Sequence, residues 1–262
     1  MALVKSAQNR GNNITYVSLS RGPDAGFKHS VNKPDGQGGT TKAVESYENV
    51  TGIPVGFSFK QELTYDTVKV LRDKGVNPRN EDLAKYEDWQ KKYVATVLLK
   101  DPETTEVIGV NFDMHDSLGG KVIGMLNSAR IHEATDHDMS LRTYFAPPKS
   151  KYNDSDKGRS SVNMRPNGSD KREDDIVPIY LDGEGNIVMD PQDPNKYGKL
   201  PMGVEVPMPK GKPVWTFEAR DDMISATALA VLEHFKRPET APVEAESGID
   251  LDEAAGAAAP RG

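Results

Sequence analysis

One stretch of the sequence decides the fold, KYVATVLL at residues 92–99. Its β-branched, aromatic and aliphatic residues predict a β-strand. Asp101-Pro102-Glu103-Thr104 follows it and predicts a turn, because these residue types favour tight reversals of the chain. A second apolar run at residues 107–112 completes a predicted β-hairpin. The hairpin therefore predicts an antiparallel sheet.

More strands are predicted on both sides of this hairpin. They are expected at residues 14–20, 42–50, 55–60, 63–71, 139–145, 176–181, 186–189 and 214–217. By contrast, two segments contain little that could be buried and are predicted to be long loops, residues 23–41 and 147–175.

Helices are predicted at three places. A short one is expected at residues 81–90. A second begins after Asp116 or Ser117, and a third begins after Asp221 or Asp222. The apolar stripes of these last two helices are Leu118, Val122, Met125, Leu126 and Ala129, and then Ile224, Ala228, Val231, Leu232 and Phe235. Because strands and helices do not alternate, we predict an α+β fold with a mainly antiparallel, OB-like or related partly closed sheet.

Composition limits the possible classes of protein. The chain has 262 residues, of which 36% are hydrophobic, and it contains no cysteine, which excludes disulfides, thiolate metal sites and thiol catalysis. No apolar run approaches the roughly 18 residues that span a bilayer, so no membrane partner is expected. We predict a flexible N-terminus at residues 1–11, one core domain at residues 12–236 and a disordered acidic tail at residues 237–262.

The net charge of -7 conceals an uneven distribution of charge. Residues 141–172 carry eight Lys or Arg against three acids, whereas residues 238–262 carry six acids against one Arg. A basic segment with aromatic residues suits a polyanion whose bases can stack, namely single-stranded nucleic acid. The acidic tail either competes with DNA for the basic segment or serves only as solubilising disorder.

Candidate DNA-binding residues combine stacking rings with cations. Phe57 and Phe59 share one face of a strand, which is either a stacking platform or a core face. Phe27 and Tyr152 lie in polar segments, where rings are more available to bases. The full predicted set is Arg21, Phe27, Lys28, Phe57, Phe59, Lys60, Tyr65, Arg142, Tyr144, Lys149, Lys151, Tyr152, Arg159, Arg165, Lys171 and Arg172.

The order of several short stretches resembles the single-stranded-DNA-binding proteins of tailed bacteriophages, including podoviruses whose protein acts with a phage RNA polymerase. The matching stretches are residues 14–22, 52–60, 93–100, 108–126 and 176–190. The resemblance implies non-sequence-specific binding of single strands in the host cytoplasm, without catalysis or a cofactor. It also implies phage RNA polymerase or replisome proteins as partners. The sequence ends Ala259-Pro260-Arg261-Gly262, without the hydrophobic acidic tip of bacterial homologues, so recruitment of host partners by the tail is not expected.

Two other functions remain open from the sequence. A β-rich structural or assembly protein of a virion would explain the strands but not the basic segment. A metal-dependent nuclease would use the His and Asp residues between Asp113 and Asp138. His132 and His137, however, are five residues apart and lack the i, i+4 spacing of a helical zinc site, so we predict neither a metal site nor a catalytic residue.

Overall fold

A curled sheet of eight strands organises the protein. The computed structural model describes residues 14–34, 39–207 and 213–236, so the predictions for residues 1–11 and 237–262 lie outside the described residues. The strands of this sheet, in chain order, are β1 (Ile14–Ser20), β2 (Gly26–Pro34), β3 (Thr40–Tyr47), β4 (Asn49–Leu63), β5 (Lys91–Lys100), β6 (Val107–Asp113), β7 (Met139–Ala146) and β8 (Arg159–Pro166).

Within the sheet the strands follow the order β3-β2-β1-β6-β5-β4-β7-β8. Strands β1 and β6 run parallel, whereas the other neighbours run antiparallel. The predicted α+β class with a mainly antiparallel, partly closed sheet is therefore confirmed.

The sheet curls because β4 belongs to both of its halves. Residues 49–52 pair with β7 and residues 53–63 pair with β5, with a register shift between Pro54 and Gly56. Such an irregularity bends a strand and increases its twist. The curl brings the turn after β1 against β8, where the Gly22 backbone N–H donates to Ser160 Oγ at 2.9 Å.

The two faces of the sheet differ in polarity. On the inner face Val17, Phe57, Val97 and Val110 form one cross-strand row and are all buried. The next row of the outer face is polar across six strands, and it consists of Ser46, Lys28, Ser18, Asn111, Thr96 and Ser58. Burial of the inner rows is the main source of stability.

Three helices complete the domain, α1 (Tyr65–Asp73), α2 (Ser117–Ile131) and α3 (Glu218–Phe235). Helix α2 packs against α3, β6 and β8, and α3 packs against β4. The predicted cap at Asp116 is confirmed, since its carboxylate accepts from the Leu118 and Gly119 backbone N–H groups. The last helix starts earlier than expected, at Glu218, with Phe217 at its N-cap position.

Several local predictions are wrong. Within the predicted loop at residues 23–41, Gly26–Pro34 form β2 and Thr40 begins β3, and residues 147–175 contain β8. Residues 65–71 are helical, since α1 begins at Tyr65 after its N-cap residue Thr64. The acid Asp66 lies in the first turn, where a negative charge is favourable. The segment 81–90 forms 3-10 turns at Leu83–Lys85 and Asp88–Gln90 instead of one helix.

Four short strands lie outside the curled sheet, as two separate pairs. They are β9 (Met189–Asp190), β10 (Asp193–Tyr197), β11 (Val204–Val206) and β12 (Val214–Thr216). The hairpin expected at residues 176–189 is reduced to one bridge, between Leu181 and Ile187. No helix in the described part of the chain is both long and apolar enough to span a bilayer.

Close packing explains the glycines in α2. A Cβ at Gly119 would overlap the Asp113 carbonyl oxygen, and one at Gly124 would lie 2.6 Å from the Tyr180 ring. Each of these glycines destabilises the helix by about 1 kcal/mol relative to alanine, but their lack of a Cβ lets α2 pack closely against β6 and against Tyr180.

We expect Gly119→Ala to lower the free energy of unfolding by about 1–3 kcal/mol. Helix propensity alone favours alanine by about 1 kcal/mol, but the obstructing atom belongs to the backbone and cannot swing aside. Urea unfolding measures the difference. Gly183→Ala is the matched control, since a Cβ there meets no atom within 4 Å, and it should stay within about 0.5 kcal/mol of the wild type. Stabilisation by alanine at position 119 would contradict this packing.

Candidate nucleic-acid interface

Four of the predicted DNA-binding residues are unavailable to a ligand or less available than expected. Phe27 is fully buried in β2 and Phe57 is 4% exposed, because both rings belong to the inner face. Phe59 is partly buried against the same core. The prediction that Phe27 and Phe57 stack on bases is therefore wrong. The strand face that carries Phe57 is a core face and not a stacking platform.

Arg165 is also buried, at 5% exposure, and its guanidinium pairs with Asp175. It cannot reach a phosphate in this position, so its predicted DNA contact is wrong. Its role is structural, because it neutralises a carboxylate that lies against β8.

Four of the other predicted residues sit at scattered places. Lys28 lies on the outer face of β2 and donates to Ser46 Oγ at 3.0 Å. Arg21 follows β1 and pairs with Asp116, and Lys60 pairs with Glu62 on β4. Tyr65 starts α1 and is 74% exposed. These four residues do not lie at one place, since Lys28, Lys60 and Tyr65 belong to β2, β4 and α1, whereas Arg21 adjoins Gly22, which donates to Ser160 of β8.

The connection between β7 and β8 is ordered by one buried amide. The Asn153 side chain donates to the carbonyl oxygens of Ala146, Pro147 and Lys157, at 2.7–3.2 Å. Lys149 is used inside the loop, since it donates to the Asp154 carbonyl oxygen and pairs with Asp156 at 3.0 Å. Within the predicted loop at residues 147–175, the tip of the β7–β8 hairpin is therefore held by specific side-chain contacts.

An exposed ring and a cation occupy that tip. Tyr152 is 72% exposed, and the Lys151 ammonium lies 5.5 Å from the centre of its ring. The pair offers a stacking surface beside a positive charge, as the sequence predicted for residues that follow a strand of nucleic acid.

Beside this tip, a lysine of α2 organises a second group. The Lys121 ammonium donates to Ser161 Oγ at 3.2 Å and to Asn163 Oδ1 at 2.7 Å. The Asn163 amide in turn donates to Asp175 Oδ2 at 2.6 Å, and Asp175 pairs with Arg165. These contacts fix the orientations of the Ser161, Asn163 and Asp175 side chains near the Lys121 ammonium.

Two predicted arginines, Arg159 and Arg172, act electrostatically on Lys121. Burial lowers the pKa of Lys121, Asp175 opposes that shift, and Arg159 and Arg172 add to it. Both arginines are exposed, and neither belongs to an ion pair within the described residues. The repulsion among these cations would be relieved by an anion such as phosphate.

An aromatic ring joins these cations. Tyr144 of β7 lies directly opposite Ser161 of β8 and is 42% exposed. We call the group formed by these side chains the Lys121 surface, and its members are Lys121, Tyr144, Arg159, Ser161, Asn163 and Arg172. Of the other predicted cations, Arg142 lies directly opposite Asn163 but is paired with Asp170 at 3.0 Å, and Lys171 is exposed and precedes Arg172 in the chain.

Sequence reasoning missed Lys121, although a signal existed. It is the single lysine of a helix that is otherwise mostly apolar or small, and eleven residues of that helix are buried. A lysine within the mostly buried first half of such a helix must find partners, because burying an unpaired charge is costly.

The residues proposed for a metal site do not converge. His132 follows the end of α2, and Asp138 accepts from the Asn167 side chain at 2.7 Å. Within residues 14–34, 39–207 and 213–236, no three His, Asp or Glu side chains are grouped so as to hold a metal ion.

Comparisons with protein-family models, with curated proteins and with solved structures found no match for this chain.

We expect the stability of Lys121→Met relative to wild type to depend on pH. Because burial depresses the folded pKa of Lys121 below the unfolded value near 10.5, the wild type bears the cost of a buried charge at pH 7. That cost disappears as the pH rises through the depressed pKa to the ordinary value. Urea unfolding should therefore show that the free energy of unfolding of the wild type, relative to that of Lys121→Met, is higher at pH 10.5 than at pH 7. An unchanged difference would show that the ammonium is not desolvated.

Proposed function

We propose that this protein binds single-stranded DNA without sequence preference, as a phage protein that presents unwound strands to a phage polymerase during transcription or replication. The single observation that carries the proposal is the Lys121 surface. Arg159 lies two residues from Ser161 on β8, Tyr144 lies directly opposite Ser161, and both Arg159 and Arg172 are near enough to Lys121 to lower its pKa. Neither arginine has an ion-pair partner within the described residues.

The chemistry of this surface suits an unpaired strand better than a duplex. The bases of a single strand expose their flat faces, and an aromatic ring such as Tyr144 can stack on any of them. In a duplex these faces are covered by neighbouring bases. The Lys151–Tyr152 tip repeats the same combination of ring and cation on the same hairpin.

Lys121 itself has a positioning role in this proposal. Its ammonium already donates to Ser161 and Asn163, so it supplies fixed positive charge beneath the ligand. The exposed guanidinium groups of Arg159 and Arg172 are the phosphate contacts, because arginine offers paired N–H groups to phosphate oxygens.

A second candidate function is that of a virion assembly protein, which the β11–β12 ribbon favours. The ribbon exposes several large apolar side chains, namely Val204, Val206, Val214 and Trp215. Exposed apolar patches mark sites of protein association. Under this candidate, mass spectrometry of purified virions should find the protein in a fixed copy number, whereas under the DNA-binding proposal it should be absent from them.

Titration of a labelled oligo-dT tests the DNA-binding proposal directly. Arg159→Ala combined with Arg172→Ala should weaken binding and reduce the slope of log affinity against log salt by about 1.4, since each phosphate contact on a single strand contributes about 0.7. Tyr144→Leu should weaken binding about 5- to 150-fold, the equivalent of about 1–3 kcal/mol of lost stacking.

The control changes two exposed lysines elsewhere, Lys69→Ala with Lys74→Ala on and just after α1. It alters the net charge by the same amount and should leave the slope close to that of the wild type. Equal losses in both double variants would mean that only net charge matters. Equal, negligible binding of wild type to oligo-dT and to a duplex of the same length would overturn the proposed function.

A further inference from the structure

A polar cleft of about 770 Å³ opens at one end of the curled sheet. It lies where β1 and β6 end and β5 begins, beside the first turns of α2 and α3. The side chains that line it include Arg21, Lys92, Tyr93, His115, Ser117 and Arg220. Of these, only Arg21 belongs to the set of DNA-binding residues predicted from the sequence.

A column of aromatic rings runs from the core into this cleft. Phe57 contacts Phe59 with ring centres 6.2 Å apart, and Phe59 contacts Tyr93 edge-on at 6.3 Å. Tyr93 then meets His115 edge-on at 5.5 Å, and the His115 ring is held by Ser225 Oγ at 3.1 Å. The Tyr93 ring is 36% exposed, so it forms a supported aromatic surface at the cleft.

Most cations of the cleft are already neutralised. Arg21 pairs with Asp116, Lys91 with Asp88, and Arg220 with Asp221. A phosphate there would have to compete with these carboxylates. The lining nevertheless offers N–H and O–H donors as well as carboxylate and hydroxyl acceptors beside a ring. That combination matches a flat, neutral heteroaromatic group with donors and acceptors on its edge.

We infer that the cleft binds one unpaired nucleobase, which stacks on Tyr93 and hydrogen-bonds to the polar rim. This inference rests on the proposed function and names a base subsite for the same strand. The Lys121 surface binds the backbone, and the cleft receives a base from it.

The two places are joined by short structural links. Ser117 lines the cleft, and Lys121 lies four residues later in α2, on the same side of the helix and about 6 Å along its axis. Arg21 also lines the cleft, and the neighbouring Gly22 donates to Ser160 of β8, between Arg159 and Ser161. A strand held by Arg159 can therefore place a nearby base in the cleft.

Photo-crosslinking locates the base. The probe is an oligo-dT with single 5-iododeoxyuridine substitutions, which is irradiated in complex with the full-length protein and mapped by mass spectrometry. We expect crosslinks to Tyr93 or His115 in addition to the β7–β8 hairpin. An oligonucleotide that lacks the base at the crosslinking position should bind more weakly to the wild type.

Variants separate stacking from a structural effect. Tyr93→Leu should lose the cleft crosslink and weaken oligo-dT binding about 5- to 150-fold, whereas Tyr93→Phe should retain both because it keeps the ring. Tyr197→Leu removes a ring on β10, away from the cleft lining, and should bind like the wild type. A loss of binding in Tyr93→Phe equal to that in Tyr93→Leu would overturn the stacking role.

The outcomes also distinguish this inference from the proposed function. Binding to oligo-dT with crosslinks confined to residues 144–172, and unchanged affinity of Tyr93→Leu, would overturn the base subsite and leave the proposed function standing. Absence of oligo-dT binding by the wild type would overturn both.

Discussion

A half-buried ammonium group ties helix α2 to the edge strand β8, and the candidate interface depends on it. Lys121 reaches Ser161 and Asn163 on the strand, and Asn163 is oriented by Asp175. These contacts hold the helix beside Arg159 of β8 and Tyr144 of β7. Without these contacts the Lys121 ammonium would not be held beside Arg159 and Tyr144.

This arrangement is a poor way to stabilise a fold. Hydrogen bonds to a charged group contribute about 1.5–3 kcal/mol each, but the desolvation of a buried ion costs several kcal/mol. Arg159 and Arg172 add repulsion, which Asp175 only partly offsets. An apolar residue at position 121 would avoid both costs, and this is why we propose an anionic ligand beside the positive charge.

The apolar framework was predictable from local pattern. Strands β5 and β6 were predictable as continuous runs of β-forming apolar residues, and α2 and α3 were predictable from apolar residues spaced three or four apart. Strand β2 escaped prediction because only Gly26 and Phe27 are buried, so burial imposes no alternation on it, whereas β3 lies largely within the strand predicted at residues 42–50. Phe27 was misjudged for the same reason, since its polar neighbours conceal a fully buried ring.

The site was harder to predict than the framework. The sequence identified Tyr144, Arg159 and Arg172 through the excess of basic residues in one segment. Lys121 and Tyr93 were not among the predicted residues, because they reach the site through pairing and packing between segments distant in sequence. Arg165 shows the opposite error, because a basic residue of the same run turns inward to neutralise Asp175.

The most direct test of the account is to map the bound strand by NMR, as changes in backbone amide chemical shifts when oligo-dT is added at low salt. The account predicts that the largest changes fall on residues 117–121, on the β7–β8 hairpin and around Arg172. Changes concentrated on the opposite edge of the sheet, at β2 and β3, with the hairpin unaffected, would contradict it.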